Sequence, residues 1–268
     1  MRHVSVTAHA AHADDLPAIR KIIFADLGDA LAKGMDDFLT KPSHIILLGV
    51  LYPIIGLVLA RFAFGYDVLP LIFPLIAGFT LLGPLVAIGF YELSRRREQG
   101  LEVSWSAVSG IFQSRSRRAI VTLGLVLLAL FVAWLWTAQL IYMQIFGDET
   151  PKSLSGFISQ VFETPEGIRL IVIGNVVGFL FAALIFSISV VSFPLLLDRD
   201  VSAPVAAVTS LKAVAANPLT MAAWGFIVAA TLAVASIPFF LGLAVAVPLL
   251  GHATWHLYKK TVAPQHPE

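Results

Sequence analysis

The chain has 268 residues, of which 58% are hydrophobic and only 13% are Asp, Glu, Lys or Arg, about half the charged share of an ordinary soluble domain. That composition makes the bilayer the solvent, and the length accommodates six spans of about 20 residues with short connections and no separate soluble domain. A net charge of +1 excludes any argument about partners from global charge, and the absence of Cys excludes disulfides, thiolate nucleophiles and thiolate metal or iron–sulfur sites.

The chain opens on MRHVSVTAHAAHADDLPAIRKI, which lacks the apolar stretch of a secretory signal, so the first span is expected to direct insertion. Residues 1–15 read as a disordered cytoplasmic tail, 16–260 as one membrane domain and 261–268 as a second tail. Apolar runs predict spans at 44–62, 68–91, 119–146, 167–197, 219–237 and 239–258, the last two forming a tight hairpin around Pro238. The expected fold is therefore all-α and integral to the membrane.

Charge gives the orientation. Arg2, Arg20, Lys21, Lys33 and Lys41 precede the first span, and Arg95, Arg96, Arg97, Arg115, Arg117 and Arg118 follow the second. Arg199 and Lys212 follow the fourth span, and Lys259 and Lys260 the sixth. Only Arg61, Lys152 and Arg169 lie in or near the opposite loops, of which the largest, GDETPKSLSGFISQVFETPEG, is net acidic. The positive-inside rule then puts both termini in the cytoplasm.

An internal pattern recurs three times. The segments ALAKGMDDFLTKP, SWSAVSGIFQSRSRR and APVAAVTSLKAVAANP each precede an odd-numbered span and look amphipathic, as short interfacial helices do. With Gly34, Gly110 and Ser210 in register, Lys41, Arg117 and Asn217 follow seven residues later, and then Pro42, Arg118 and Pro218. The even-numbered spans carry Pro84-Leu85, Pro194-Leu195 and Pro248-Leu249 near their cytoplasmic ends, and a proline inside a span removes a backbone hydrogen bond and kinks the helix. The reading is three hairpin-like repeats, each a surface helix, a span and a kinked span. Such repeats serve transporters as well as plain bundles.

The span centres hold no ionisable side chain, only groups such as Thr80, Gln139, Asn175, Ser187, Ser189 and Ser192, which disfavours a proton-coupled pump or antiporter. Gly174 and Gly178 make a small face beside Asn175 suited to helix packing. His252 and His256, four apart on one helix face, and His44 at the start of the first span all fall at cytoplasmic depth. With Glu92, Asp198 or Asp200 they are candidate ligands for a divalent metal. The plainer alternative is an interfacial belt of histidines with Trp255, Tyr258, Lys259 and Lys260. Asp198 and Asp200 around Arg199 are candidates to pair with Arg95, Arg96 and Arg97, while those arginines and Lys259 and Lys260 are candidates for lipid contact. No phosphate loop, nucleophile elbow or zinc-helix motif is present, no cofactor or catalytic residue is indicated, and nothing points to nucleic acid.

The stretches LPAIRKI, PLIAGFTLLGPLVAIGFYELSRRREQG, FPLLLDRDVSAPVAAVTSLKAVAANP and LGHATWHLYKK resemble a bacterial family of integral membrane proteins, domain of unknown function 2189, from Leu16 onward. The resemblance implies a six-span inner-membrane protein and no activity. The functional expectation is a non-enzymatic protein working through helix packing, lipid contact or membership of a larger membrane complex. The alternatives are a small-solute or lipid transporter and a metal- or haem-binding protein at the cytoplasmic face.

Overall fold

A computed structural model describes residues 16–40, 54, 56, 57, 69–104, 110–147, 151, 153–238 and 240–265. Helix α1 spans Phe24–Thr40, and after a 3-10 turn at Leu69–Leu71 come α2 (Ile72–Leu81) and α3 (Gly83–Glu98). A second 3-10 turn, Gly110–Gln113, leads into α4 (Arg117–Phe146), followed by α5 (Leu154–Glu163), α6 (Pro165–Ser189) and α7 (Ser192–Asp198). The chain ends with α8 (Ala203–Ala216), α9 (Pro218–Ser236) and α10 (Leu243–Thr261).

Four helical units among the described residues are long and apolar enough to cross a membrane: Ile72–Glu98, Arg117–Phe146, Pro165–Asp198 and Pro218–Ser236. Helices suit this role because they satisfy their own backbone polar groups where water cannot. The expected first span, 44–62, lies almost wholly outside the described residues, and the expected sixth corresponds to α10, which does not join the four on length and apolarity. At 30 residues, α4 is about 45 Å long, against a hydrocarbon layer of about 30 Å. Its ends must therefore reach beyond the apolar layer.

Two of the expected proline kinks accompany real interruptions. Pro194 has no N–H for the carbonyl of Val190, four residues back, and the helix breaks at Val190–Val191 between α6 and α7. The break is mended from α8: the Val191 N–H donates to Ser210 Oγ (3.2 Å), and the Ser192 hydroxyl donates to the carbonyls of Ala206 (2.9 Å) and Ile188. Pro84 sits in the first turn of α3, just after the break at Leu82. By contrast, α10 continues through Pro248, although Pro248 has no N–H to donate to the Ala244 carbonyl.

The net-acidic stretch between α4 and α6 contains the helix α5. Ser153 caps α5 by accepting from the Gly156 N–H (3.1 Å), and Thr164 caps α6 by accepting from the Gly167 N–H (3.0 Å), with Pro165 at the first helical position. Helix α5 is amphipathic, with Phe157 against Tyr142 of α4 and Ile158 and Phe162 exposed.

The core gathers at one end of the molecule. Helix α1 runs antiparallel along the C-terminal half of α10, close enough at Gly34 that a Cβ there would lie 2.6 Å from the Ala253 backbone nitrogen. Around this contact Phe90, Phe193, Trp224, Trp255, Leu257 and Tyr258 are buried. Away from it the helices expose apolar faces, with Trp136 70%, Phe179 70% and Phe226 74% accessible.

Candidate functional site

The buried polar groups concentrate at this same end, where Asp37 is the hub. On α1 the residues Leu27, Ala30, Gly34, Asp37 and Phe38 recur at three- and four-residue spacing, so the helix period that buries the small and apolar members also buries the carboxylate. Its side chain is 5% exposed. Partners reach it from two other helices: Ser94 and Arg97 of α3, and His256 of α10.

His256 Nε2 lies 2.8 Å from Asp37 Oδ2, Arg97 pairs with Oδ1, and the Ser94 hydroxyl donates to Oδ2. The same guanidinium reaches Asp36 Oδ2 at 2.7 Å, so one arginine spans the acidic pair. Because the Ser94 proton points to Asp37, His252 Nδ1, 2.6 Å from Ser94 Oγ, is the donor in that contact. His252 Nε2 is left buried without a hydrogen-bond partner among the described residues, near the Phe90 ring at 5.6 Å between centroids. Burial would push the Asp37 carboxyl up, but hydrogen bonds from His256, Ser94 and Arg97 outweigh it and hold the group at about 2.

A second tier of pairs surrounds the hub. Arg95 forks onto Glu92 (2.7 and 2.8 Å), and Arg96 lies 3.8 Å from the same carboxylate and donates to the Glu102 carbonyl (2.7 Å). Lys259 stands between Glu98 (3.8 Å) and Asp198 (3.7 Å) with its ammonium 5.8 Å from the Trp255 ring centroid. Lys260 ties α10 to Asp26 (3.0 Å) and Asp29 (2.9 Å) of α1, and those hydrogen bonds raise it above the ordinary lysine range. Asp198 accepts from the Tyr258 hydroxyl (2.6 Å) and is met by Lys259 rather than by Arg95, Arg96 or Arg97.

The two ends of the described chain are stitched into this layer. The Arg20 N–H donates to the Thr261 carbonyl (2.8 Å) and the Ala263 N–H to the Ala18 carbonyl (2.9 Å), framing an antiparallel bridge between Ile19 and Val262. Asn217, between α8 and α9, accepts from the Ile22 N–H (2.9 Å) and donates to the Arg20 carbonyl (3.1 Å), while Lys21 caps α8 at the Ala216 carbonyl.

The structure thus joins His252 and His256 through Asp37 and Ser94, not through Glu92, Asp198 or Asp200, and His44 lies outside the described residues. Among the described residues no group of three His, Asp or Glu side chains is placed to hold a metal ion. Ser94 stands between His252 and Asp37, and Arg97 occupies the other carboxylate oxygen. The sequence reading missed Asp37 and Ser94. The signal was present, since Asp37 interrupts the buried stripe of an amphipathic helix. Of the paired glycines, Gly178 does pack, its missing Cβ 3.0 Å from the Trp134 ring, whereas Gly174 has nothing within 4 Å.

Residues 72–198 match the model of a family described as predicted integral membrane protein, domain of unknown function 2189. Ser94 and Arg97 lie inside the matched stretch; Asp37, His252 and His256 lie outside it. No curated protein and no solved structure matches the chain.

Proposed function

We propose that this chain, matched through residues 72–198 to predicted integral membrane proteins, is a non-enzymatic, six-span inner-membrane protein that acts as an accessory or scaffold subunit of a membrane complex. The observation that carries the reading is the closure of its polar cluster. Ser94 and His252 are each 1% exposed and Asp37 is 7% exposed, so the groups that resemble acid, base and nucleophile have no access to a substrate. Every arginine in Arg95–Arg97 and both Lys259 and Lys260 face carboxylates of the same chain, as suits a collar that fixes helix positions.

Connectivity supports six crossings with both termini on one side. Asn217 and Val262 both touch the segment at residues 19–22, so α9 leaves the polar layer and α10 returns to it. If α9 crosses, so does α10. Thr40 closes a helix that packs against α10, whereas the turn at Leu69–Leu71 touches α5 at the opposite end, which favours the expected span at 44–62. The cation excess favours a cytoplasmic polar layer. The threefold repeat draws support from Gly34 of one surface helix packing on α10 and Ser210 of another on the α6–α7 break.

A transporter or lipid-handling role is the second reading, favoured by helix interruptions beside Pro84 and Pro194 at corresponding places in two hairpins. Mass spectrometry of what copurifies after direct extraction of native membranes into nanodiscs separates the two. Stoichiometric membrane subunits are expected; a solitary protein enriched in one solute or lipid would replace the scaffold reading with transport.

A further inference from the structure

The cations of the polar layer are not equivalent. Those in the last turn of α3 and at the end of α10 are neutralised by carboxylates within the chain, whereas Arg115 and Arg118, both exposed, make no ion pair or hydrogen bond with any described residue. Arg117, also exposed, lies between them at the first position of α4. Two arginines around the start of α4, Arg115 and Arg118, thus stand without a described carboxylate partner.

Directly below them α4 presents an apolar stripe. Arg118, Val121, Leu125, Leu128 and Val132 follow one another at spacings of three and four, which puts them on one helix face. The four apolar members are 53%, 60%, 45% and 56% exposed, while Ile120, Leu123 and Leu127 on the opposite face are buried. From Val121 to Val132 the helix rises about 16 Å, close to one leaflet's half of a hydrocarbon layer of about 30 Å.

We propose that Arg115 and Arg118 bind the headgroup of an anionic phospholipid whose acyl chain lies along Val121, Leu125, Leu128 and Val132. This rests on the membrane reading above and adds to it a lipid preference and its residues. Charge complementarity selects the headgroup, and the continuous apolar face below selects a lipid over an acidic protein segment, which has no use for a stripe of that depth. It also moves lipid recognition from Arg95–Arg97, whose guanidinium groups are already engaged.

The absence of native cysteine makes the test direct. Val121→Cys and Phe226→Cys, the latter on an exposed face of α9, are each labelled with a fluorophore in nanodiscs of equal phosphatidylglycerol and phosphatidylcholine. Quenching by brominated forms of each lipid then gives a contact ratio at each position. Phosphatidylglycerol is expected to be enriched at position 121 relative to 226 by about fivefold for each arginine engaged, the worth of a basic side chain near an anionic surface. Adding R115Q and R118Q to Val121→Cys is expected to return its ratio to that at 226. Equal ratios at both positions overturn the proposal, as does loss of the preference in millimolar inorganic phosphate, which would identify a soluble anion as the ligand. Absence of quenching by either lipid at either position would sink the membrane reading itself. If that variant fails to insert, the comparison of positions 121 and 226 still decides.

Discussion

The two ends of this bundle are built on different solvents. At the polar end, helices from distant parts of the chain are joined by charge, with Asp37, Glu98 and Asp198 each accepting from side chains of another helix. At the apolar end, α4 and α6 meet through ring and glycine contacts such as Gly178 on Trp134, and they leave large side chains outward. The difference follows from what each environment rewards. In water, an exposed apolar face is costly and a cross-helix ion pair can be satisfied. In hydrocarbon, an exposed Phe179 costs nothing and an unpaired charge costs several kcal/mol. Specificity of assembly is therefore concentrated where water reaches.

The sharpest way to break that division is Asp37→Ala. It strands Arg97, His256 and Ser94 at once, and removing one partner of a buried charge pair costs about 3–5 kcal/mol. The lower figure applies here because the Arg97 side chain is 35% exposed and recovers solvent. A fall in the thermal unfolding midpoint of detergent-purified protein, with loss of protection from proteolysis after Lys21 or Lys33, is the expected outcome; an unchanged midpoint would mean that the hub does not hold α1. Acid offers a milder version. The Asp37 carboxyl titrates at about 2 in the fold against an ordinary 3.8, so its contribution is complete above about pH 4 and disappears as pH falls through 2. That difference corresponds to about 2 kcal/mol, and the acid limb should be absent from the Asp37→Ala variant.

Gly34→Ala comes next. An added Cβ would stand 2.6 Å from the Ala253 nitrogen and 2.7 Å from its Cβ, and backbone cannot step aside as a flexible side chain would. Overpacking of this kind costs about 1–3 kcal/mol. Because Gly34 and Asp37 lie on the same helix–helix seam, the double variant should lose less than the sum of the two, readable as a coupling in the unfolding midpoints.

Much of this architecture was legible because it is written in composition and period. Continuous apolar runs located α4, α6 and α9, and the prolines marked the breaks near Leu82 and Val190. Helix α5 was hidden because its start depends on Ser153 capping the Gly156 N–H, a local signal that a net-acidic, glycine-containing stretch obscures. The polar cluster was half legible. His252 and His256 share a face by spacing alone, yet which carboxylate meets them depends on α1 returning to lie along α10, a contact separated by more than 200 residues. Glu92 and Asp198 were nearer in the expected topology, but Glu92 turns to arginines on its own helix and Asp198 to Tyr258.

The smallest expected effect tests the apolar end. Gly174, like Gly34, is a helical glycine, and its spacing to Gly178 assigns it to packing, but no atom lies within 4 Å of where its Cβ would stand. Gly174→Ala should therefore leave stability unchanged or raise it by at most about 1 kcal/mol, the helix-propensity gain of alanine over glycine. Gly34→Ala measured alongside provides the contrast: the same substitution, opposite in sign, at the two ends of the bundle. Destabilisation at both positions would mean that Gly174 meets a neighbour on the side of α6 that it shares with Gly178, opposite Val172, Val176 and Phe179.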